Sequence, residues 1–173
     1  MPRSINNLRQ LILIAHNVRS THNVGSLFRT AEGLGVNELI LSGYTPYPKE
    51  KNDSRLPYIA DKLERQINKT ALGALNSLKW RHAEDITSVI ADVKRQGFKV
   101  IALEQDKKGH VITDLNYEGK IALIVGNELT GLDKDVLGLC DQIIEIPMFG
   151  QKESYNVVQA AAMTLFYIRL SSF

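Results

Sequence analysis

One cysteine, Cys140, stands in this chain of 173 residues. No internal disulfide can form, which excludes the small stapled scaffolds of secreted proteins and agrees with a reducing, cytoplasmic setting. Within "LGLCDQIIEIP" the thiol reads as a small buried hydrophobe. Long apolar runs are also missing, and none approaches the roughly 18 residues of a membrane helix. The N-terminal "MPRSINNLRQ" has no apolar stretch ahead of a small-residue cleavage site, so no secretory signal is expected. The chain has no G-x-G-x-x-G, so the dinucleotide fingerprint is absent. Gly126 and Gly131 have P-loop spacing, but Leu132 and Asp133 stand where Lys and Ser or Thr would hold phosphate. His16, His22, His82 and His110 show no ligand spacing and no cysteine pair supports them, so no metal centre is expected. Internal repeats and low-complexity tracts are absent.

Charge is nearly balanced at +2, which neither requires nor excludes a nucleic-acid partner. Its distribution is uneven. Between Lys49 and His82 eight basic residues face four acidic ones, a local +4 that leaves the rest of the chain at −2. This segment is either a solvated face or a phosphate-contacting surface, with Lys49, Lys51 and Arg55 as the first candidates. Tyr44, Tyr47 and Trp80 are its candidate stacking groups, with packing under the connection as the alternative.

What the chain has in quantity is short apolar runs: "LILIA" at 11–15, "ELILS" at 38–42, "KVIALE" at 99–104, "IALIVG" at 121–126 and "QIIEIPM" at 142–148. Most are continuous rather than alternating, as expected of strands covered on both faces. Helical patterns lie between them. "NVGSLFRTAEGLG" carries Val24, Leu27, Phe28, Ala31 and Leu34 on one stripe, with Asn23 placed to cap it. "DITSVIADVKRQG" ends at Gly97, "LDKDVLGLC" follows, and "NVVQAAAMTLFYIRL" closes the chain. The alternation predicts one α/β domain over residues 1–173, with a mainly parallel sheet and helices on both faces. The stretch from Gly43 to Asp85 breaks the rhythm and reads as a long surface connection.

In open α/β sheets ligands sit outside the carboxyl ends of the strands. Three strand ends stand out. After "LILIA" come Asn23 and Gly25, with Arg29 one turn later. Gly25 has no propensity reason to stand in a first helical turn, so something approaches the backbone there. After "IALIV" comes "GNELTGL", where Glu128 is either a helix N-terminal acid or a reader of hydroxyls or a cationic amine. After "IIEI" comes "PMFGQKESYNVVQAA", where Ser154 and Asn156 both suit an N-cap and one is therefore free for other work.

Together, "NVGSLFRTAEGLGV", "LIVGNELTGL" and "IPMFGQKESYNVVQAA" resemble motifs 1, 2 and 3 of the SpoU/TrmH family of RNA ribose 2′-O-methyltransferases, in the SPOUT superfamily. The likeness covers nearly the whole chain in the right order, with Tyr155 where Leu is common and the bulkier Val158 where small residues usually stand. It implies a parallel α/β domain with a C-terminal deep trefoil knot, a homodimer, S-adenosylmethionine as methyl donor and tRNA or rRNA as acceptor. It places cofactor contacts on Leu103, Gly126, Asn127, Glu128, Ile146, Met148, Tyr155 and Asn156. The catalytic candidates it implies are Asn23, Arg29, Glu128, Ser154 and Asn156, with Arg29 also meeting substrate. The family's proposed base is the motif 1 arginine; a side chain with a pKa above about 12 is better suited to bind phosphate and stabilise alkoxide charge. A non-catalytic RNA-binding protein of the same fold, and a knotted base methylator, are the competing readings. The intact candidate set speaks against the first, and the Asn23/Arg29 pair against the second.

Overall fold

The computed structural model describes residues 9–107, 109–115 and 119–171. Among the described residues seven strands form one sheet: β1 (Leu11–His16), β2 (Glu38–Ser42), β3 (Trp80–Ala83), β4 (Phe98–Leu103), β5 (His110–Val111), β6 (Lys120–Val125) and β7 (Gln142–Glu145). Their order is β3-β2-β1-β6-β4-β7-β5, and every pairing is parallel. The continuous apolar runs have the expected cause. Leu11, Leu13 and Ala15 of β1 enter one core cluster, while Ile12 and Ile14 enter another on the opposite face.

Helices α1 (Thr21–Gly33), α2 (Pro57–Ala71) and α5 (Val157–Leu170) supply the first cluster through residues such as Phe28, Ile67 and Leu165. Helices α3 (Ile86–Arg95) and α4 (Lys134–Leu139) supply the second through Val89, Val93 and Val136. Among the described residues no helix is long and apolar enough to cross a membrane.

The stripe of α1 is buried as expected at Val24, Leu27, Phe28 and Ala31. Its start differs from the sequence expectation. Ser20, not Asn23, is the N-cap, and the Ser20 hydroxyl accepts the Asn23 N–H at 3.3 Å. Asn23 thus sits inside the first turn, with its side chain released from capping.

The stretch from Gly43 to Asp85 is more than a surface connection. It holds α2 and β3. Pro57 at the first helical positions and an inward stripe of Ala60, Ile67 and Ala71 are the local signals for α2. That stripe is sparse and built of small residues because α2 lies close against α1. A Cβ on Gly25 would stand 2.2 Å from both the Ile67 carbonyl oxygen and the Thr70 hydroxyl. The close approach expected at Gly25 is real, but the neighbour is α2 rather than substrate. β7 ends at Glu145 rather than Met148, since Pro147 two residues on has no N–H for a ladder.

Candidate active site

Parallel strands place the loops after β1, β6 and β7 at one edge of the sheet, and there the three motifs meet. The loop after β6 folds back on itself: Asn127 and Gly131 exchange backbone hydrogen bonds at 3.1 and 2.9 Å. Gly126 permits this, because a Cβ there would lie 2.6 Å from the Gly131 carbonyl. The Asn127 side chain holds the loop in shape. Its oxygen accepts the N–H groups of Leu129 (2.8 Å) and Thr130 (3.1 Å), and its amide donates to the Asn17 carbonyl (3.0 Å) and the Tyr44 hydroxyl (2.8 Å).

This shape presents Glu128 to the start of α1. One carboxylate oxygen accepts the Arg19 N–H at 2.9 Å; the other accepts the Ser20 N–H at 3.1 Å and the Asn23 amide at 2.8 Å. Burial works against the charge of Glu128, but the donors from Arg19, Asn23 and Ser20 outweigh it, so its carboxyl lies below the usual carboxylate range. Glu128 is therefore an anion at the positive end of α1, and both its oxygens are occupied. Such a group orients Asn23; it is not a free base.

The third motif closes the junction. Asn156 is the N-cap of α5: its oxygen accepts the Val158 N–H at 2.9 Å, and its amide donates to the Asn23 oxygen at 3.3 Å. Ser154 is the cap-type residue left free of capping; it is exposed and lines the neighbouring cavity.

That cavity, of about 300 Å³, lies between the loops after β4, β6 and β7. Six of the eight expected cofactor residues line it: Leu103, Gly126, Asn127, Glu128, Ile146 and Tyr155. Met148 and Asn156 do not, and Asn156 is bonded to Asn23. Sequence reasoning missed Glu104, Gln105, Glu145 and Glu153, which also line it. Glu104 follows β4 directly, so its position at a strand's carboxyl end was the available signal; its carboxylate accepts the N–H groups of Leu132 (2.8 Å) and Gln105 (3.0 Å). Among the described residues four glutamates and no lysine, arginine or histidine line the space.

Arg29 is not brought to this junction. It is exposed on α1, about 9 Å along the axis from Asn23 at 1.5 Å per residue. There it borders a shallow cleft with Gly33, Leu34, Met163 and Phe166. Gly25 and Arg29 do not share a working face, since Gly25 is buried against α2.

The expected substrate residues separate. Arg55 is committed: it pairs with Asp53, donates to the carbonyls of Tyr47 (2.9 Å) and Pro48 (3.0 Å), and lies 3.5 Å over the Tyr47 ring. It folds its own connection and is not open to phosphate. Lys49 is tied to Asp61 at 2.7 Å, an exposed pair of little cost to break. Lys51 is exposed, as are Lys62, Arg65 and Lys69 on α2. Beyond the junction, His16 is buried at the end of β1. Its Nε2 accepts from Asn17, leaving Nδ1–H to donate to the Ser42 hydroxyl at 2.9 Å. Burial lowers its pKa, partly opposed by Asp133, so the imidazole is neutral.

A family model described as the SpoU rRNA methylase family matches residues 10–166. The chain belongs to that family. Among the relatives of this SpoU-family chain is the 23S rRNA (guanosine-2′-O-)-methyltransferase RlmB of Acinetobacter baylyi, 30% identical over 93% of this chain and 60% of its own length. The tRNA (guanosine(18)-2′-O)-methyltransferase of Escherichia coli is 28% identical over 90% of this chain and 61% of its own. The chain thus spans about three fifths of these two relatives. The SpoU methyltransferase AviRb of Streptomyces viridochromogenes, solved in complex with the cofactor AdoMet, superposes with a TM-score of 0.74 and 25% identity, over 95% of this chain and 58% of that one. The A. aeolicus TrmH/SpoU tRNA modifying enzyme shares the fold, with a TM-score of 0.76 over 93% of this chain and 74% of that one.

Proposed function

We propose that this SpoU-family chain transfers a methyl group from S-adenosylmethionine to a ribose 2′-hydroxyl in tRNA or rRNA. The observation that carries this is the hydrogen-bonded junction of Asn23, Glu128 and Asn156 beside the acidic cavity. The cavity's residues fit the cofactor. Leu103, Val125, Ile146 and Val157 give an apolar wall for a purine, and Glu145 and Glu153 add negative charge toward a sulfonium and an ammonium. When bound, S-adenosylmethionine supplies an electrophilic methyl whose departure leaves a neutral thioether.

The protein's own part is positioning and charge. Glu128 fixes Asn23 and the start of α1, Asn156 holds Asn23 from the other side, and Ser154 faces the cavity to orient ribose or cofactor. Arg29 binds the phosphate next to the target ribose and stabilises developing alkoxide charge; its pKa above about 12 makes it a poor proton acceptor. Lys51, Lys49 and the exposed cations of α2 form the surface for the RNA backbone.

The same reading includes a homodimer. Met163, Phe166 and Leu170 leave an apolar face on α5 exposed, with Arg29 at its border. A second copy covers that face and brings Arg29 beside an active site. It also includes a C-terminal trefoil knot, supported by the return of α5 from β7, past β4 and β6, to pack against α1.

Mapping 2′-O-methylation across tRNA and rRNA of a deletion strain and its parent tests the function. One or more sites lose the modification in the deletion strain and regain it with the wild-type gene but not with Arg29→Ala. An unchanged map contradicts the proposal.

A further inference from the structure

A second cleft, of about 640 Å³, crosses the carboxyl ends of β1, β2 and β3 beside the junction, lined by Arg19, Tyr44, Tyr47, Arg55, His82 and Glu84 among others. We propose that it is a nucleobase subsite, in which the base of the target nucleotide stacks on Tyr44 while Arg19 holds the adjoining phosphate. The inference rests on the methyltransferase reading above and names how that site would seat its nucleotide.

The three candidate aromatics are not equivalent. Trp80 packs edge-on against Phe28, ring centroids 5.9 Å apart. Tyr47 has both faces taken, one by His82 at 3.9 Å and the other by Arg55 at 3.5 Å. Tyr44 alone is open, 61% exposed. It is also fixed. Its hydroxyl is bound by the Asn127 amide at 2.8 Å, and its backbone N–H donates to the Asn17 side chain at 3.1 Å. A ring held at both ends with an open face stacks a base with little loss of freedom. The tether matters for place as well as for rigidity. Asn127 lines the cofactor cavity, so the ring is anchored one hydrogen bond from where the methyl donor would sit.

Arg19 is held in the same way. Its N–H donates to Glu128, while its exposed guanidinium has no partner among the described residues. Arg19 stands on the β1 side of the cleft and Glu84 follows β3 at the other. Since β2 lies between β1 and β3, the guanidinium of Arg19 and the carboxylate of Glu84 stand at opposite ends of the cleft. A phosphate is attracted to the Arg19 end and repelled from the Glu84 end. The ribose then lies toward Asn23 and the base extends over Tyr44. Bases that are unstacked and splayed out are the form in which proteins read RNA strands.

The test uses the full chain and bulk tRNA and rRNA from the deletion strain, together with a short oligoribonucleotide bearing one 2-aminopurine. Tyr44→Leu raises KM for RNA about 10-fold or more, the size expected for loss of one stacked base, with S-adenosylmethionine affinity retained. It also abolishes quenching of the 2-aminopurine. Tyr44→Phe, which keeps the ring and loses the tether, restores both in part. Arg19→Ala raises KM and flattens the salt dependence of binding. A Tyr44→Leu protein with wild-type KM and quenching overturns the subsite. So does one in which cofactor affinity falls in step with RNA affinity, because Tyr44 then acts only by supporting Asn127. If wild-type protein methylates no RNA yet quenches the probe through Tyr44, the methyltransferase reading fails and the subsite stands.

Discussion

Glu128 ties the loop after β6 to the start of α1 through three accepted hydrogen bonds. It was legible as a helix N-terminal acid, and it is one, but for α1, whose chain lies 105 residues away from it at Asn23. That distance is also why the cap of α1 was misplaced. Ser20 takes the cap, and the carboxylate arriving from the loop after β6 holds the Asn23 amide. Arg55 was misread for the opposite reason, since its partner Asp53 is two residues away and the pair closes locally. Glu128→Gln keeps the shape but cannot satisfy three donors. It is expected to cost roughly 1–3 kcal/mol of stability at neutral pH and to lower methyl transfer with RNA binding preserved. The sign of its pH dependence follows from the lowered carboxyl pKa. The anion's contribution is present above the unfolded pKa and lost as pH falls through the folded one, so wild type and Glu128→Gln converge in acid. Urea unfolding at neutral pH and near pH 3 checks this; parallel curves at both would contradict it.

Among elements, β1, β2, β4, β6 and β7 and helices α1, α3, α4 and α5 were legible because each carries its own period or punctuation, whereas the short β3 and β5 carry no such run. Helix α2 was not, because tight packing needs little apolar surface. Where Gly25 lets two backbones approach, Ala60 and Ala71 suffice, and the stripe looks polar. Gly25→Ala is therefore expected to destabilise by about 1–3 kcal/mol despite the better helix propensity of alanine, since its Cβ meets the Ile67 carbonyl rather than a movable side chain. Thermal unfolding reads this directly. A neutral or stabilising result would mean that α2 does not sit on Gly25.

For the whole molecule, strand order had no local signature. Nothing in "IALIV" says that β6 inserts between β1 and β4, yet that insertion brings the loop after β6 to α1. Assembly was implied only through the family resemblance, and the exposed apolar face of α5 is the surface proposed for it. Phe166→Asp is expected to turn a dimer into monomers by light scattering and to abolish transfer while S-adenosylmethionine still binds; an unchanged mass would place the dimer elsewhere or remove it.

The central claim is that the junction of Asn23, Glu128 and Asn156 serves transfer to a ribose hydroxyl. Incubating the purified chain with methyl-labelled S-adenosylmethionine and RNA from the deletion strain, then digesting to nucleosides, tests it most directly. Label is expected in a 2′-O-methylribonucleoside, strongly reduced with Asn23→Ala. Label on a base, or none with any RNA, would contradict it.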